Sequence, residues 1–423
     1  MLPNEAINKT LLSVFSHTSF RPKQEEIIRA IVDRRDVLAI LPTGAGKSLC
    51  FQLPAVVIHG MTIVISPLIA LMQDQVKNAR EKGINAQHLS SLQDESESVF
   101  VHDEIKTGNV KLLYISPERF IMESFQEELK SVLISLVILD EAHCIEYGNE
   151  FRPAYFELSE RLKNRIYQDV PRAAFTASAT EATQQIIIDK FGLYNPEIFK
   201  TTFNRPNLFY DVREKIGSGI NYLPILISGK HFESERGIIY RSTKANCEET
   251  AIFLTRSGYK SVAYHAGMDP QERTENQMLF VSGGVKIVCA TIAFGMGIDV
   301  PDIRYVIHLD LPKNMEGFYQ ETGRAGRDGL PSYCCLFYDR ADKLLIRRFN
   351  GNVEDKERRN MASKQLEYIA DYAEENVCRR KKILEYFGEV YDKNNCGNCD
   401  ICNETKKHNR FKGEFIKREL FSR

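Results

Sequence analysis

Val37-Leu38-Ala39-Ile40-Leu41-Pro42-Thr43-Gly44-Ala45-Gly46-Lys47-Ser48 opens on a short apolar run and closes on a glycine-rich turn ending in Lys-Ser. The apolar run predicts a buried parallel strand from Val37 to Leu41, with a helix following Ser48. In that setting the glycines let backbone N–H groups curl around phosphate oxygens. The helix N-terminus adds its dipole, Lys47 reaches the β/γ-phosphates and the Ser48 hydroxyl ligates Mg²⁺. Leu41 stands where the strict phosphate-loop pattern has its first glycine. A merely structural Gly-rich turn would not need a strand before it and a helix after it. Nucleotide binding through Thr43, Gly44, Ala45, Gly46, Lys47 and Ser48 is therefore expected.

Outward from this loop, Met61–Ser66, Lys111–Ser116 and Leu136–Asp140 are further short apolar runs, bounded by Pro, Gly or Asp. Leu68–Gly83 between them has helical spacing and a closing glycine. Strand–helix alternation implies a wound α/β sheet. The alternation resumes with Gly237–Ser242, Ser261–Ala266, Lys286–Thr291 and Tyr305–Asp310, which predict a second parallel sheet. Between the two sheets Phe203–Asn221, with Pro206, Gly217 and Gly219, reads as a linker, and the domain boundary is placed near residues 202–215. A helical segment is expected from Ala362 to Phe387, with Leu366, Ile369, Ala370, Ala373, Val377, Leu384 and Phe387 on one stripe.

Asp140-Glu141-Ala142-His143 ends the strand from Leu136. An acid there can hold the Mg²⁺ water shell, and the next Glu can orient or deprotonate the attacking water. Gln320-Glu321-Thr322-Gly323-Arg324-Ala325-Gly326-Arg327 is a third element. On a helix, Arg324 and Arg327 would share a face. Two guanidinium groups offered to a γ-phosphate form an arginine-finger arrangement. An ordinary polar strand end and a surface arginine pair are the bland alternatives; the company of the phosphate loop weighs against both.

Composition bounds the rest. A chain of 423 residues suggests about two to three domains. With 56 basic and 57 acidic residues, a uniformly basic coat is excluded, so any nucleic-acid site is a local groove. The first ten residues lack the form of a secretory signal, and no apolar run approaches the ~20 residues that span a bilayer. A soluble, intracellular protein is expected. Of ten cysteines, Cys50, Cys144, Cys247, Cys289, Cys334 and Cys335 read as small core hydrophobes. Cys378, Cys396, Cys399 and Cys402 crowd together and read as metal ligands.

These pieces resemble superfamily 2 helicases, and within them the RecQ family. Phe20–Glu25 resembles that family's adenine-reading motif, which implies that Gln24 bonds the adenine edge. Ser66–Gln75 and Ser116–Glu118 resemble its DNA-backbone motifs, and Thr176–Thr180 the motif that couples ATP to DNA. Tyr264–Gly267 and Ala290–Asp299 resemble second-domain motifs. Residues 320–329 resemble its closing motif, adding Gln320 to the nucleotide contacts. The four clustered cysteines match the family's zinc module, which implies a structural Zn²⁺ site. The resemblance implies two tandem RecA-like parallel-sheet domains (1–203 and 204–340), a helical zinc-binding module (341–405) and a basic tail (406–423). It also implies ATP and Mg²⁺ as ligands and DNA, single-stranded or forked, as partner. The activity implied is 3′ to 5′ unwinding in recombination or repair, in a nucleoid or a nucleus. No membrane and no particular protein partner is implied. Two departures stand out. Cys144–Pro153 lacks the family's aromatic-loop Trp and His, having Tyr147 and Asn149. Asn403–Arg423 is too short for the winged-helix domain that usually follows. Both leave room for an ATP-switched clamp or annealing protein; an RNA helicase is a third reading.

Overall fold

The computed structural model describes residues 3–42, 44–90, 93–145, 154–294, 300–351 and 356–403. The chain divides into two compact units, Met1–Thr202 and Phe203–Arg423.

In the first unit seven strands form one sheet: β1 (Val37–Ile40), β2 (Met61–Ile65), β3 (Ala86–Leu89), β4 (Leu112–Ile115), β5 (Ile134–Leu139), β6 (Arg172–Thr176) and β7 (Glu197–Lys200). Their order across the sheet is β3-β4-β2-β5-β6-β1-β7, and every pairing is parallel. Strands β1, β2, β4 and β5 are buried on both faces, which is why they read as unbroken apolar runs. The helix Gln24–Val32 lays Ile27, Ile28 and Ile31 into the core beside β1.

The second unit holds six strands: β8 (Leu208–Glu214), β9 (Arg236–Tyr240), β10 (Ser261–Tyr264), β11 (Ile287–Ala290), β12 (Ile303–His308) and β13 (Ser332–Tyr338). They run in the order β10-β11-β9-β12-β13-β8, again all parallel. Ile239, Cys289, Ile307 and Cys335, one from each of four adjacent strands, meet in its core.

Two expectations need correction. The segment 203–221 is not all linker: β8 pairs with β13 along its full length, from Leu208 against Ser332 to Glu214 against Tyr338. Its polar residues hid an edge strand that buries Leu208 and Tyr210. The helical segment 362–387 is two helices, Lys356–Glu374 and Arg379–Tyr386. Leu366, Ile369 and Ala370 are buried on the first and Leu384 on the second, whereas Val377 falls in the break and is 38% exposed. The break is stabilised by Arg379, whose guanidinium bonds the Tyr372 carbonyl and, at 3.1 Å, that of Glu375. The first is a carbonyl of the helix's last turn and the second lies just past its end at Glu374, where carbonyls lack helical partners. Among the described residues no helix is long and apolar enough to cross a membrane.

Candidate nucleotide site, arginine turn and metal centre

The loop after β1 is built from left-handed backbone: Gly44 has φ +84° and Gly46 φ +81°. Gly46 caps the helix Lys47–Val57 without any side-chain hydrogen bond. The first-turn N–H groups of that helix, with Lys47 and Ser48 leading it, are thus presented to an anion. Carbonyls of the loop are held from behind. Gln24 Nε2 donates to Ala45 O and Gly46 O, both at 3.1 Å, and Arg21 Nη1 donates to Gly44 O. The other end of the Gln24 amide accepts from Arg21 N at 2.8 Å. A side chain at position 46 would collide with Gln24 Nε2. Gln24 is 2% exposed, so in this structure it braces the loop rather than offering a free edge to a base. Thr43 lies outside the described residues.

Asp140 follows β5, and its N–H donates to Ile65 O of β2 at 2.9 Å. Burial and the neighbouring Glu141 push its carboxyl up to about 7, while Lys47 pulls the other way. A buried carboxylate beside a lysine in this way suits a cation ligand, because a metal ion would offset its desolvation. Glu141 sits at φ +48°, a conformation that costs a non-glycine residue about 1 kcal/mol or more.

Missed in the sequence is the part played by His143. Its Nδ1 lies 3.0 Å from Thr176 Oγ1 and 3.5 Å from Glu141 Oε2. The Thr176 hydroxyl donates its one proton to Ser178 O at 3.0 Å, so Nδ1 of His143 must be the donor to Thr176. Burial lowers the His143 pKa, with Lys47 acting in the same direction and Glu141 against it. The acidic box is thereby tied to the segment Thr176–Thr180. A second unanticipated link is Gln52, whose Nε2 donates to Gln75 Oε1 and to the Tyr114 hydroxyl, each at 2.9 Å. It joins the helix after the phosphate loop to the helix Ile69–Glu81 and to β4. Gln52, an amide inside the otherwise apolar run of the helix Lys47–Val57, was the available signal.

In the second unit Gln320 lies on the helix Met315–Thr322. Arg324 and Arg327 come after that helix, in successive turns, and so do not share a helix face as the spacing had predicted. Beyond the helix end at Thr322, Gly326 turns to φ +55° and gives its N–H to Ile303 O of β12 at 2.8 Å. Arg324 is buried at 8% exposure and bonds the Tyr240 phenol. Tyr240 also donates to Phe294 O at 2.9 Å. Gly295–Asp299, Tyr147–Pro153 and the basic tail lie outside the described residues.

The four cysteines do converge: the Sγ atoms of Cys378, Cys396, Cys399 and Cys402 all lie within 4.8 Å of one another. A Zn–S bond of about 2.3 Å gives tetrahedral S–S edges of about 3.8 Å, so four soft donors here fit Zn²⁺ after a small contraction. Cys378 begins the helix Arg379–Tyr386. Gly397, at φ +65°, turns the chain between the next two ligands, and Asn398 N–H donates to Cys396 Sγ at 3.4 Å.

Three family models match the chain in tandem: DEAD/DEAH box helicase over residues 21–186, helicase conserved C-terminal domain over 219–329 and RecQ zinc-binding over 340–403. The ATP-dependent DNA helicase RecQ of Pasteurella multocida is 41% identical over 94% of this chain and 62% of its own length. RecQ-like DNA helicase blm-1 of Caenorhabditis elegans is 38% identical over 96% of this chain and 42% of its own. The putative ATP-dependent RNA helicase R290 of Acanthamoeba polyphaga mimivirus is 39% identical, with 94% and 72% covered. The chain therefore spans only part of the length of its cellular relatives. Among solved structures, Saccharomyces cerevisiae Dbp5 bound to RNA and ADP BeF3 matches with a TM-score of 0.63 at 18% identity, over 84% of this chain and 96% of that one. The helicase MrfA bound to DNA matches at 0.67 and 16%, over 82% and 53%; at such identities the likeness is one of fold. Phosphate loop and acidic box fall within the first matched segment, the arginine turn within the second and the four cysteines within the third. The chain belongs to the RecQ family of helicases.

Proposed function

We propose that the chain is an ATP-dependent DNA helicase that moves 3′ to 5′ and unwinds duplex or forked DNA in recombination or repair. The observation that carries this reading is the assembly of Lys47, Ser48, Asp140 and Glu141 at one sheet end, in a chain whose relatives are named ATP-dependent DNA helicases. Lys47 and the loop N–H groups from Gly44 to Ser48, with Thr43, bind the triphosphate. Ser48 and Asp140 hold Mg²⁺, which when bound neutralises charge on the phosphates. Glu141 orients or deprotonates the attacking water. Gln24 and Gln320 contact the nucleotide, and Arg324 and Arg327 stabilise charge developing on the transferred phosphoryl group. For Gln24 to reach adenine it must exchange bonds it makes to the loop, so base recognition and loop geometry are linked. Cys378, Cys396, Cys399 and Cys402 hold a structural Zn²⁺, since four protein ligands leave no open position.

The test is the ATPase rate without nucleic acid, with single-stranded DNA and with single-stranded RNA, followed by unwinding of a tailed fork. Strong DNA stimulation and unwinding are expected. DNA binding with little turnover would replace the helicase by an ATP-switched clamp. Preferential stimulation by RNA would favour a second reading, an RNA helicase, as the mimivirus relative is named.

A further inference from the structure

We infer that Arg205 is a positioning residue for the arginine turn, and that the zinc-binding segment holds Arg205 in place. The inference rests on the proposed role of Arg324 and Arg327 in hydrolysis. Arg205 Nη1 donates to Gly323 O at 3.1 Å, and its Nη2 donates to Ala325 O at 2.8 Å and Gly326 O at 2.9 Å. The carbonyl of Gly323 belongs to the peptide plane that leads into Arg324, and that of Gly326 to the plane that leads into Arg327. One guanidinium therefore grips the peptide planes immediately before both arginines. A planar five-donor fork suits this task, and a lysine, a single point charge, does not. Asn207 adds a bond to Gly326 O at 2.9 Å. A Cβ at position 326 would stand 2.5 Å from the Asn207 amide nitrogen, so glycine is needed for this close approach.

Arg205 is itself fixed from the far side. Arg380, two residues beyond the ligand Cys378, donates to Asn204 Oδ1 at 2.7 Å, to the Arg205 carbonyl at 2.6 Å and to Leu208 O at 2.8 Å. Arg380 is 3% exposed. Asn398, between the ligands Cys396 and Cys399, donates to Pro206 O at 2.9 Å and Leu208 O at 3.1 Å. The segment 204–208 is thus gripped by residues next to the cysteine cluster on one side and grips the arginine turn on the other. Zinc occupancy then bears on phosphoryl transfer as well as on stability.

The experiment compares Arg205→Ala, Arg205→Lys, Asn398→Ala, Arg324→Ala and Arg327→Ala with the unaltered chain. It measures DNA-stimulated kcat, KM for ATP, zinc content and melting temperature. Arg205→Ala is expected to lower kcat about tenfold to a hundredfold, the scale seen when a supporting partner of a functional ligand is lost. KM for ATP and zinc content should stay close to those of the unaltered chain. Arg205→Lys should recover only part of the loss, and it serves as the readout if Arg205→Ala does not fold. Asn398→Ala should lower kcat by a smaller factor with zinc retained. If Arg324→Ala and Arg327→Ala lower kcat but both Arg205 variants turn over normally, the positioning role is overturned while the proposed function stands. Normal turnover in Arg324→Ala and Arg327→Ala overturns the proposed role of the pair and this inference with it. An unchanged kcat in Asn398→Ala, with Arg205→Ala impaired, removes the zinc segment from the inference.

Discussion

The phosphate loop and the arginine turn are held by the same device, with different dependencies. Each is a glycine-bearing turn whose carbonyls accept hydrogen bonds from an amide and a guanidinium behind it. For the loop these are Gln24 and Arg21; for the turn, Asn207 and Arg205. Gln24 starts a helix sunk in the first unit's own core. Arg205 sits on an irregular segment secured by Arg380 and Asn398, residues that flank the cysteine ligands. The loop is therefore braced directly from a core helix of the first unit, whereas the arginine turn, inside the second unit, is braced through a segment tied to the cysteine cluster. Damage to that cluster should spare binding more than turnover.

The largest expected effect is at the loop. Lys47→Ala should lower ATP hydrolysis about a thousandfold or more while circular dichroism and melting temperature hold. Normal hydrolysis in a folded variant would remove the loop from the comparison. Next, Arg324→Ala or Arg327→Ala should lower kcat on the order of a thousandfold, with ATP affinity little changed in equilibrium binding.

Cys399→Ser comes third. Metal analysis should show lost zinc, and scanning calorimetry lowered stability, since metal binding contributes on the order of 10 kcal/mol to small zinc modules. Because Asp400 N–H bonds Tyr210 O of β8 at 3.0 Å, the loss should reach the second sheet's edge. ATP hydrolysis should fall while nucleotide binding persists; equal loss of both would break the contrast.

Acidification gives a smaller effect of definite sign. Asp140 is raised from an ordinary carboxyl value to about 7, so the folded protein favours its protonated form. That contribution to metal-free stability is complete below the ordinary carboxyl range and lost as pH rises through about 7. Mg²⁺-nucleotide affinity should move oppositely, weakening as pH falls below about 7, and Asp140→Asn should flatten the profile measured by calorimetric titration. Smallest is Gln24→Ala, which should weaken ATP by about 1 kcal/mol. GTP should weaken too if bracing the loop is its larger role; loss confined to adenine nucleotides would favour base reading.

Legibility followed locality. Strands β1, β2, β4 and β5, buried on both faces, announce themselves as apolar runs, and the phosphate loop and cysteine cluster are continuous or nearly so. Strand β7 alternates half-buried and exposed residues at a sheet edge, and β8 carries Asp211, Arg213 and Glu214, so neither shows an apolar run. Strand β13 is wholly buried yet mixes Ser, Tyr and Cys, which disguises it. Arg205 was hidden for a different reason: its partners lie 118 to 121 residues away, and no local pattern records such a meeting. The His143–Thr176 bond is likewise a product of β5 and β6 lying side by side.

The buried pair Arg379–Asp400 has one more consequence. Its Nε–Oδ1 distance is 3.0 Å, with both side chains under 5% exposed, and each partner directly follows a cysteine ligand, Cys378 or Cys399. The pair holds these two thiols near each other by a link that is independent of metal. Sulfurs brought this close are within easy reach of disulfide geometry. In a zinc-free chain these neighbouring thiols would be open to oxidation, and a disulfide between them would block re-metallation. Handled under reducing conditions, the same preassembled thiols should take zinc back quickly.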